Sequence, residues 1–143
     1  MDVLLGVGND ANGDDGIGPW IAQRFEKPGW QSIDCFTVPE NYTGEVKQLQ
    51  PTHVVIVDAA DMGLPPGAIR VIPRDRIGTA TFSTHAMPLS VFIDYIQETT
   101  EAVVTLIGIQ PYSFEEMSQD VTQAGERLLQ ILQSDRIGEL PRL

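Results

Sequence analysis

Short apolar runs alternate with amphipathic stretches along most of this chain. Three runs rich in branched residues are typical of strands buried on both faces: residues 3–7, 52–57 and 102–109. Three other segments repeat apolar residues at spacings of three and four, as one face of a helix does: residues 17–25, 89–96 and 117–132. Because strands and helices alternate, the pattern predicts a single domain over residues 1–143, a three-layer α/β/α sandwich with a mostly parallel, five-stranded twisted sheet.

The segments between these elements complete the predicted fold. Residues 31–38 are predicted as a second strand, which Pro39 ends, and residues 40–49 as a short helix. Residues 68–72 are the expected short antiparallel or edge strand. Residues 135–143 are expected to form a loose tail.

The charge and the cysteine content narrow the choice of partner and compartment. The chain has 20 acidic and 9 basic residues, a formal net charge of −11, and this field argues against nucleic-acid or anionic-membrane partners. No apolar run approaches the roughly 18 residues that span a bilayer, and there is no signal-type N-terminus. One cysteine, Cys35, allows no intrachain disulfide and fits a reducing compartment. We therefore expect a cytoplasmic protein without membrane insertion.

The first twenty residues combine a strand, a long turn and the start of a helix. Gly8 and Asn9 break the strand, since both accept the left-handed conformations of a sharp turn. Two adjacent carboxylates, Asp14 and Asp15, follow just before helical spacing begins at Ile17. The two acids are therefore expected at the carboxyl edge of the sheet, where open α/β folds bind ligands.

Three polar residues lie at or just past predicted strand ends and could converge in one cleft. They are Asp15 after the first strand, Asp58 after the 52–57 run, and His85 ahead of the third predicted helix. Two carboxylates and an imidazole suit a divalent first-row metal ion with open coordination positions. The same set could perform acid–base chemistry on a bound water.

Other interpretations of these and neighbouring residues are structural. Asp15 could cap a helix or interact with its dipole, and His85 could be a loop histidine bonded to backbone. A charge at Asp58, between apolar neighbours, is energetically costly without a partner, and this favours a functional role for Asp58 over a structural one. His53 begins a strand and is expected to be structural or exposed. Cys35 lies in an apolar strand and is expected to be a small buried side chain rather than a nucleophile.

A dinucleotide site is a competing interpretation of the N-terminal stretch. Gly6, Gly8 and Ala11 match a loose G-x-G-x-x-A pattern. Asp34, near the end of the second predicted strand, could be the acid that binds a ribose. The turn, however, continues into two carboxylates, which lie where a pyrophosphate needs helix amides.

Several motifs together point to a known family. They are LGVGN at residues 5–9, DDGIGP at 14–19, VIVDA at 55–59 and STHAMPL at 83–89. In this order and spacing they resemble the N-terminal signature, the central strand with its acid, and the histidine segment of the nickel–iron hydrogenase maturation peptidases. Three further segments resemble the branch that serves hydrogenases of the formate-hydrogenlyase type: residues 38–41, 61–63 and 108–111.

The resemblance implies an endopeptidase, in a family classed with aspartic peptidases, that removes a C-terminal extension from the hydrogenase large-subunit precursor after nickel insertion. By motif, the metal contacts fall on Asp15, Asp58 and His85, and Asp15 or Asp58 would be the catalytic base. Nickel would arrive bound to the precursor, and we expect a monomeric enzyme. A non-enzymatic nickel carrier with the same ligands is the alternative, although the chain lacks the His- or Cys-rich tract that would favour it.

Overall fold

The computed structural model of the chain describes residues 1–82 and 88–143. The strands are β1 (Asp2–Gly6), β2 (Trp30–Asp34), β3 (His53–Asp61), β4 (Ile69–Val71), β5 (Thr81–Phe82) and β6 (Val103–Ile109). The α-helices are α1 (Ile17–Arg24), α2 (Thr43–Leu49), α3 (Leu89–Thr99) and α4 (Gln119–Gln133). Short 3-10 helices occupy Gly13–Gly16, Pro39–Tyr42, Arg74–Thr79 and Ile137–Glu139. No helix within these described ranges is both long and apolar enough to cross a membrane.

The main sheet has the strand order β2-β1-β3-β6-β4. Its first four strands are parallel, and the edge strand β4 runs antiparallel to β6. The predicted mostly parallel five-stranded sheet with a short antiparallel edge strand is therefore confirmed. A further strand, β5, pairs with the end of β3 through Phe82 and Ala60. Two residues are too few to show a strand pattern in the sequence, so β5 is not among the predicted elements.

Helices cover both faces of the sheet, as the three-layer prediction requires. The central strands are buried on both sides, and neighbouring residues point to opposite faces. Leu4 packs in one apolar cluster with residues of α1 and α4. The next residue, Leu5, packs in a second cluster with residues of α2 and α3.

The second strand is shorter than the sequence predicts. β2 ends at Asp34 rather than continuing to residue 38. Phe36 adopts a φ of 52°, in the left-handed region, which turns the chain out of the sheet. The predicted boundary is wrong because Phe36 has a high intrinsic preference for strands, whereas the turn depends on contacts with other parts of the chain.

Residues 135–143 are packed against the sheet, so the expectation of a loose tail is wrong. The N–H of Val71 donates to the carbonyl oxygen of Pro141, and the N–H of Leu143 donates to that of Val71, both at 2.9 Å. The Leu143 side chain also packs against a core cluster. This segment covers the outer edge of β4, a role that its local composition does not indicate.

Candidate active site

Asp15 lies in the Gly13–Gly16 turn, between the end of β1 and the start of α1. Its side chain is partly exposed, and Oδ2 accepts a hydrogen bond from Nδ2 of Asn12 at 2.6 Å. Its backbone oxygen accepts one from the N–H of Asn9 at 3.1 Å. The N-cap residue of α1 is Gly16. The helix-cap interpretation therefore does not account for Asp15.

Close backbone contacts place the start of α1 on the carboxyl ends of two strands. A Cβ atom on Gly18 would lie 2.2 Å from the carbonyl oxygen of Val7 and 2.5 Å from that of Val57. Only a residue without a side chain permits this approach. The N–H of Val7 also donates to the carbonyl oxygen of Val57 at 2.9 Å, so the chain after β1 stays beside β3. The preceding turn, which carries Asp15, consequently contacts β3.

Asp58 is a fully buried carboxylate in β3, at 0% exposure. It lies opposite Gly108 of β6 and directly follows Val57. Transfer of a carboxylate into such surroundings is costly unless it interacts with compensating groups, so chance placement is a poor explanation. The structure thus brings a buried acid, Asp58, and a partly exposed acid, Asp15, to the same edge of the sheet.

The third residue of the predicted set, His85, lies outside the described residues. The strand before it ends at Phe82, which pairs with Ala60, two residues after Asp58. Among residues 1–82 and 88–143, no group of three His, Cys, Asp or Glu side chains could hold a metal ion. The ligand set of Asp15, Asp58 and His85 stays a prediction.

Asp14, the neighbour of Asp15, has a structural role that the sequence does not reveal. Its fully buried carboxylate accepts backbone hydrogen bonds from Tyr112 at 2.8 Å, Ser113 at 2.7 Å and Ser118 at 2.6 Å. The hydroxyl of Ser118 donates a fourth, at 2.8 Å. A carboxylate with this many donors is well compensated for its burial. Asp14 therefore fastens the loop after β6 to the turn that carries Asp15.

Gln110, just past the end of β6, organises a second loop at this edge. Its Oε1 accepts hydrogen bonds from the backbone N–H groups of Met62 at 2.7 Å and Leu64 at 3.3 Å. Its Nε2 donates to Oδ1 of Asp61 at 3.1 Å, and this bond, with one from the Gly63 N–H, lowers the pKa of Asp61. The sequence signal is a polar residue that closes a long apolar run. Gln110 thereby joins the end of β6 to the loop that follows β3.

The geometry does not favour a dinucleotide site at the N-terminal stretch. The carboxylate of Asp34, the proposed ribose ligand, accepts hydrogen bonds from the N–H of Phe36 at 3.0 Å and from Gln23 at 3.1 Å. The Gly13–Gly16 turn sets its two acids immediately before α1. Negative charge at that position repels a pyrophosphate from the helix amides it would need.

Cys35 and His53 are structural, as the sequence predicts. Cys35 is fully buried, and burial, reinforced by nearby carboxylates, raises the pKa of its thiol to about 12. Nε2 of His53 lies 2.8 Å from Oγ1 of Thr105, and its ring packs edge-on against Trp30. Burial lowers the pKa of His53, although nearby Asp2 opposes this shift. His53 begins β3, at the amino end of that strand, and Cys35, although it directly follows β2, is buried in an apolar cluster.

We expect the Cys35 thiol to resist alkylation in the folded protein at pH 8. A rise in pKa from 9.0 to about 12 lowers the thiolate fraction about a thousandfold, and burial blocks access as well. Timed treatment with iodoacetamide, followed by mass spectrometry, should label denatured protein readily and native protein negligibly. Equal labelling rates in the two states would contradict the buried assignment.

Comparison with known proteins identifies relatives over most of the chain. A family model for hydrogenase maturation proteases matches residues 19–135. The match includes Asp58 and the position of His85 but begins after Asp15. The hydrogenase 3 maturation protease of Escherichia coli K12 is 42% identical over 139 residues, which cover 92% of this chain and 88% of that protein.

Solved structures show the same fold. A crystal structure of a hydrogenase 3 maturation protease matches with a TM-score of 0.89 at 40% identity, covering 100% of this chain and 96% of that one. The [NiFe] hydrogenase maturation protease HycI of Thermococcus kodakarensis matches with a TM-score of 0.84 at 34% identity, covering 95% of this chain and 92% of that one. Sequence and structure agree over nearly the full length, and the chain therefore belongs to the hydrogenase maturation protease family.

Proposed function

We propose that this endopeptidase removes the C-terminal extension from the large-subunit precursor of a nickel–iron hydrogenase, after nickel has been inserted. The proposal rests on the placement of two carboxylates, a buried one at Asp58 in β3 and a partly exposed one at Asp15 in a turn that contacts β3, in a hydrogenase maturation protease fold. The protein acts in the cytoplasm as a monomer.

Nickel belongs to the substrate in this proposal and arrives bound to the precursor. Asp15, Asp58 and His85 contact it, since carboxylate oxygen and imidazole nitrogen both suit a divalent first-row ion. Phe82 lies three residues before His85 and pairs with Ala60, which lies two residues after Asp58. Because Phe82 is therefore close to Asp58, we include the histidine in the ligand set. A precursor without nickel binds more weakly, because it offers no cation to two acids in a chain of net charge −11.

Peptide hydrolysis requires a group that accepts a proton from the attacking water. Asp15 is more exposed than Asp58, so water reaches its carboxylate more easily, and Asp15 is the preferred general base. The water oxygen bonds to the scissile carbonyl carbon while the carboxylate takes a proton from that water. The carbon–nitrogen bond then breaks, and the carboxylate passes this proton to the departing amine. Nickel on the precursor, when it lies nearby, would polarise the carbonyl.

The alternative of a non-enzymatic nickel carrier finds no support in the relatives, which are proteases. A carrier would bind the precursor or nickel without shortening any chain. A protease must release a fragment of defined mass. The two functions are therefore separable in one assay.

The testing experiment mixes this protein with the large-subunit precursor of a hydrogenase from the same organism, either loaded with nickel or kept free of it. We expect mass spectrometry to show loss of a C-terminal fragment only from the nickel-loaded precursor. Binding without loss of mass would favour a carrier. An intact precursor that does not bind at all would overturn the proposed function.

A further inference from the structure

Three large aromatic side chains are exposed at the edge of the sheet that carries Asp15. Phe36 is 52% exposed, Tyr112 71% and Phe114 55%. Phe36 follows β2, and the other two lie in the loop after β6. Apolar rings held in water at a candidate active site are typical of surfaces that bind a partner. We call these three residues the aromatic rim.

Phe36 is held exposed by a backbone conformation that a phenylalanine disfavours. Its φ of 52° lies in the left-handed region, where glycine and asparagine are the usual occupants. Its carbonyl oxygen accepts from the N–H of Gly8 at 2.7 Å, and its N–H donates to Oδ1 of Asp34 at 3.0 Å. These bonds impose the conformation from both sides. Retention of a strained, exposed ring indicates a role other than stability.

The other half of the rim stands on an anchored loop. The N–H groups of Tyr112 and Ser113 both donate to the buried carboxylate of Asp14. The same loop lies tightly against Gly13, where an added Cβ would come within 2.6 Å of the Ser113 oxygen. The backbone is therefore fixed, although the Tyr112 side chain itself faces water.

The two parts of the rim flank Asp15. On one side, the N–H of Gly8 donates a hydrogen bond to the carbonyl oxygen of Phe36. Gly8 also packs closely on the backbone of Asp15, since a Cβ atom added to Gly8 would lie 2.0 Å from the Asp15 backbone oxygen. On the other side, Asp14 holds the loop that carries Tyr112. The strand order places β2 and β6 on opposite sides of β1 and β3, so the two turns approach from different directions.

We propose that the aromatic rim binds apolar side chains of the precursor next to the bond that is cleaved. The inference rests on the proposed function, since its ligand is the precursor chain. Rings with few rotatable bonds supply contact area at low entropic cost. Binding of this kind lowers KM for the precursor and leaves the chemical step to the acids.

The test compares Phe36→Gly with Gln50→Gly, a control of matched backbone geometry. Gln50, at the C-terminus of α2, also has a positive φ, 46°, and it lies away from the carboxyl edge of the sheet. Glycine relieves strain at either position, so both variants should unfold at the wild-type temperature or above it. We expect only Phe36→Gly to raise KM for the nickel-loaded precursor, by about tenfold, with kcat unchanged.

A double variant, Tyr112→Ala with Phe114→Ala, tests the other side of the rim and should raise KM in the same way. If the wild type cleaves the precursor and both Phe36→Gly and the double variant keep the wild-type KM, the proposed role of the aromatic rim is wrong. A rise in KM for Gln50→Gly equal to that of Phe36→Gly would also overturn it. Failure of the wild type to cleave would instead reject the proposed function.

Discussion

Replacing Asp58 or Asp15 by asparagine is expected to abolish cleavage of the nickel-loaded precursor while the chain stays folded. Loss of a general base costs on the order of 10²- to 10⁴-fold in rate, and loss of an anionic ligand weakens binding of the metal-bearing substrate as well. Asparagine keeps the shape of the side chain but has neither the charge nor the basicity. The measurement is release of the C-terminal fragment followed by mass spectrometry, with thermal unfolding to verify the fold.

The matched control for this prediction is Glu126→Gln, which removes one negative charge from the exposed surface of α4. Its cleavage rate should equal that of the wild type, because a distant exposed charge is screened by salt. The nickel-free precursor should bind the acid variants at least as well as it binds the wild type. Full activity in both acid variants would reject the site assignment.

Replacing Asp14 by asparagine is expected to have the largest effect on stability. The fully buried carboxylate accepts four hydrogen bonds, and an asparagine amide would turn a donor toward groups that are themselves donors. Breaking a buried charged network of this kind costs about 3–5 kcal/mol. At about 3 °C per kcal/mol for a chain of this length, the unfolding temperature should fall by about 10 °C or more.

Asp15→Asn is the control for Asp14→Asn, since the same chemical change occurs one position along the chain. Asp15 is partly exposed, and an asparagine there can still accept the hydrogen bond from Asn12. We expect its stability to stay within about 1 kcal/mol of the wild type. Parallel thermal and urea unfolding of the two variants measures the difference. Equal losses of stability in the two variants would contradict the structural role assigned to Asp14.

The contrast between Asp14 and Asp15 illustrates the limit of the sequence at the candidate site. Both acids precede the same helix, and no local pattern tells them apart. The structure separates them because Asp14 accepts hydrogen bonds from a loop about a hundred residues away, whereas Asp15 is partly exposed. The sequence predicted that both acids lie just before the helix, as the structure has them, but it could not assign a structural role to Asp14.

Boundaries and ends of elements depended on contacts in the same way. The turn at Phe36 follows from hydrogen bonds with Gly8 and Asp34, and local preference alone favours a longer strand there. The packing of residues 135–143 depends on the outer edge of β4, where Val71 forms hydrogen bonds with Pro141 and Leu143. A prediction based on local composition cannot include these hydrogen bonds, because they join residues that are distant in sequence.

Three features were predictable from the sequence alone: the alternation of strands and helices, the mostly parallel sheet, and the position of Asp15 and Asp58 relative to the strands that precede them. These features follow from periodicity and strand order, which are local or follow from the handedness of parallel connections. Only the folded chain shows which acid is buried as an anchor, where β2 ends, what covers β4 and which aromatic rings stay exposed. Each of these depends on groups distant in sequence, because burial and hydrogen-bond partners exist only once the chain has folded.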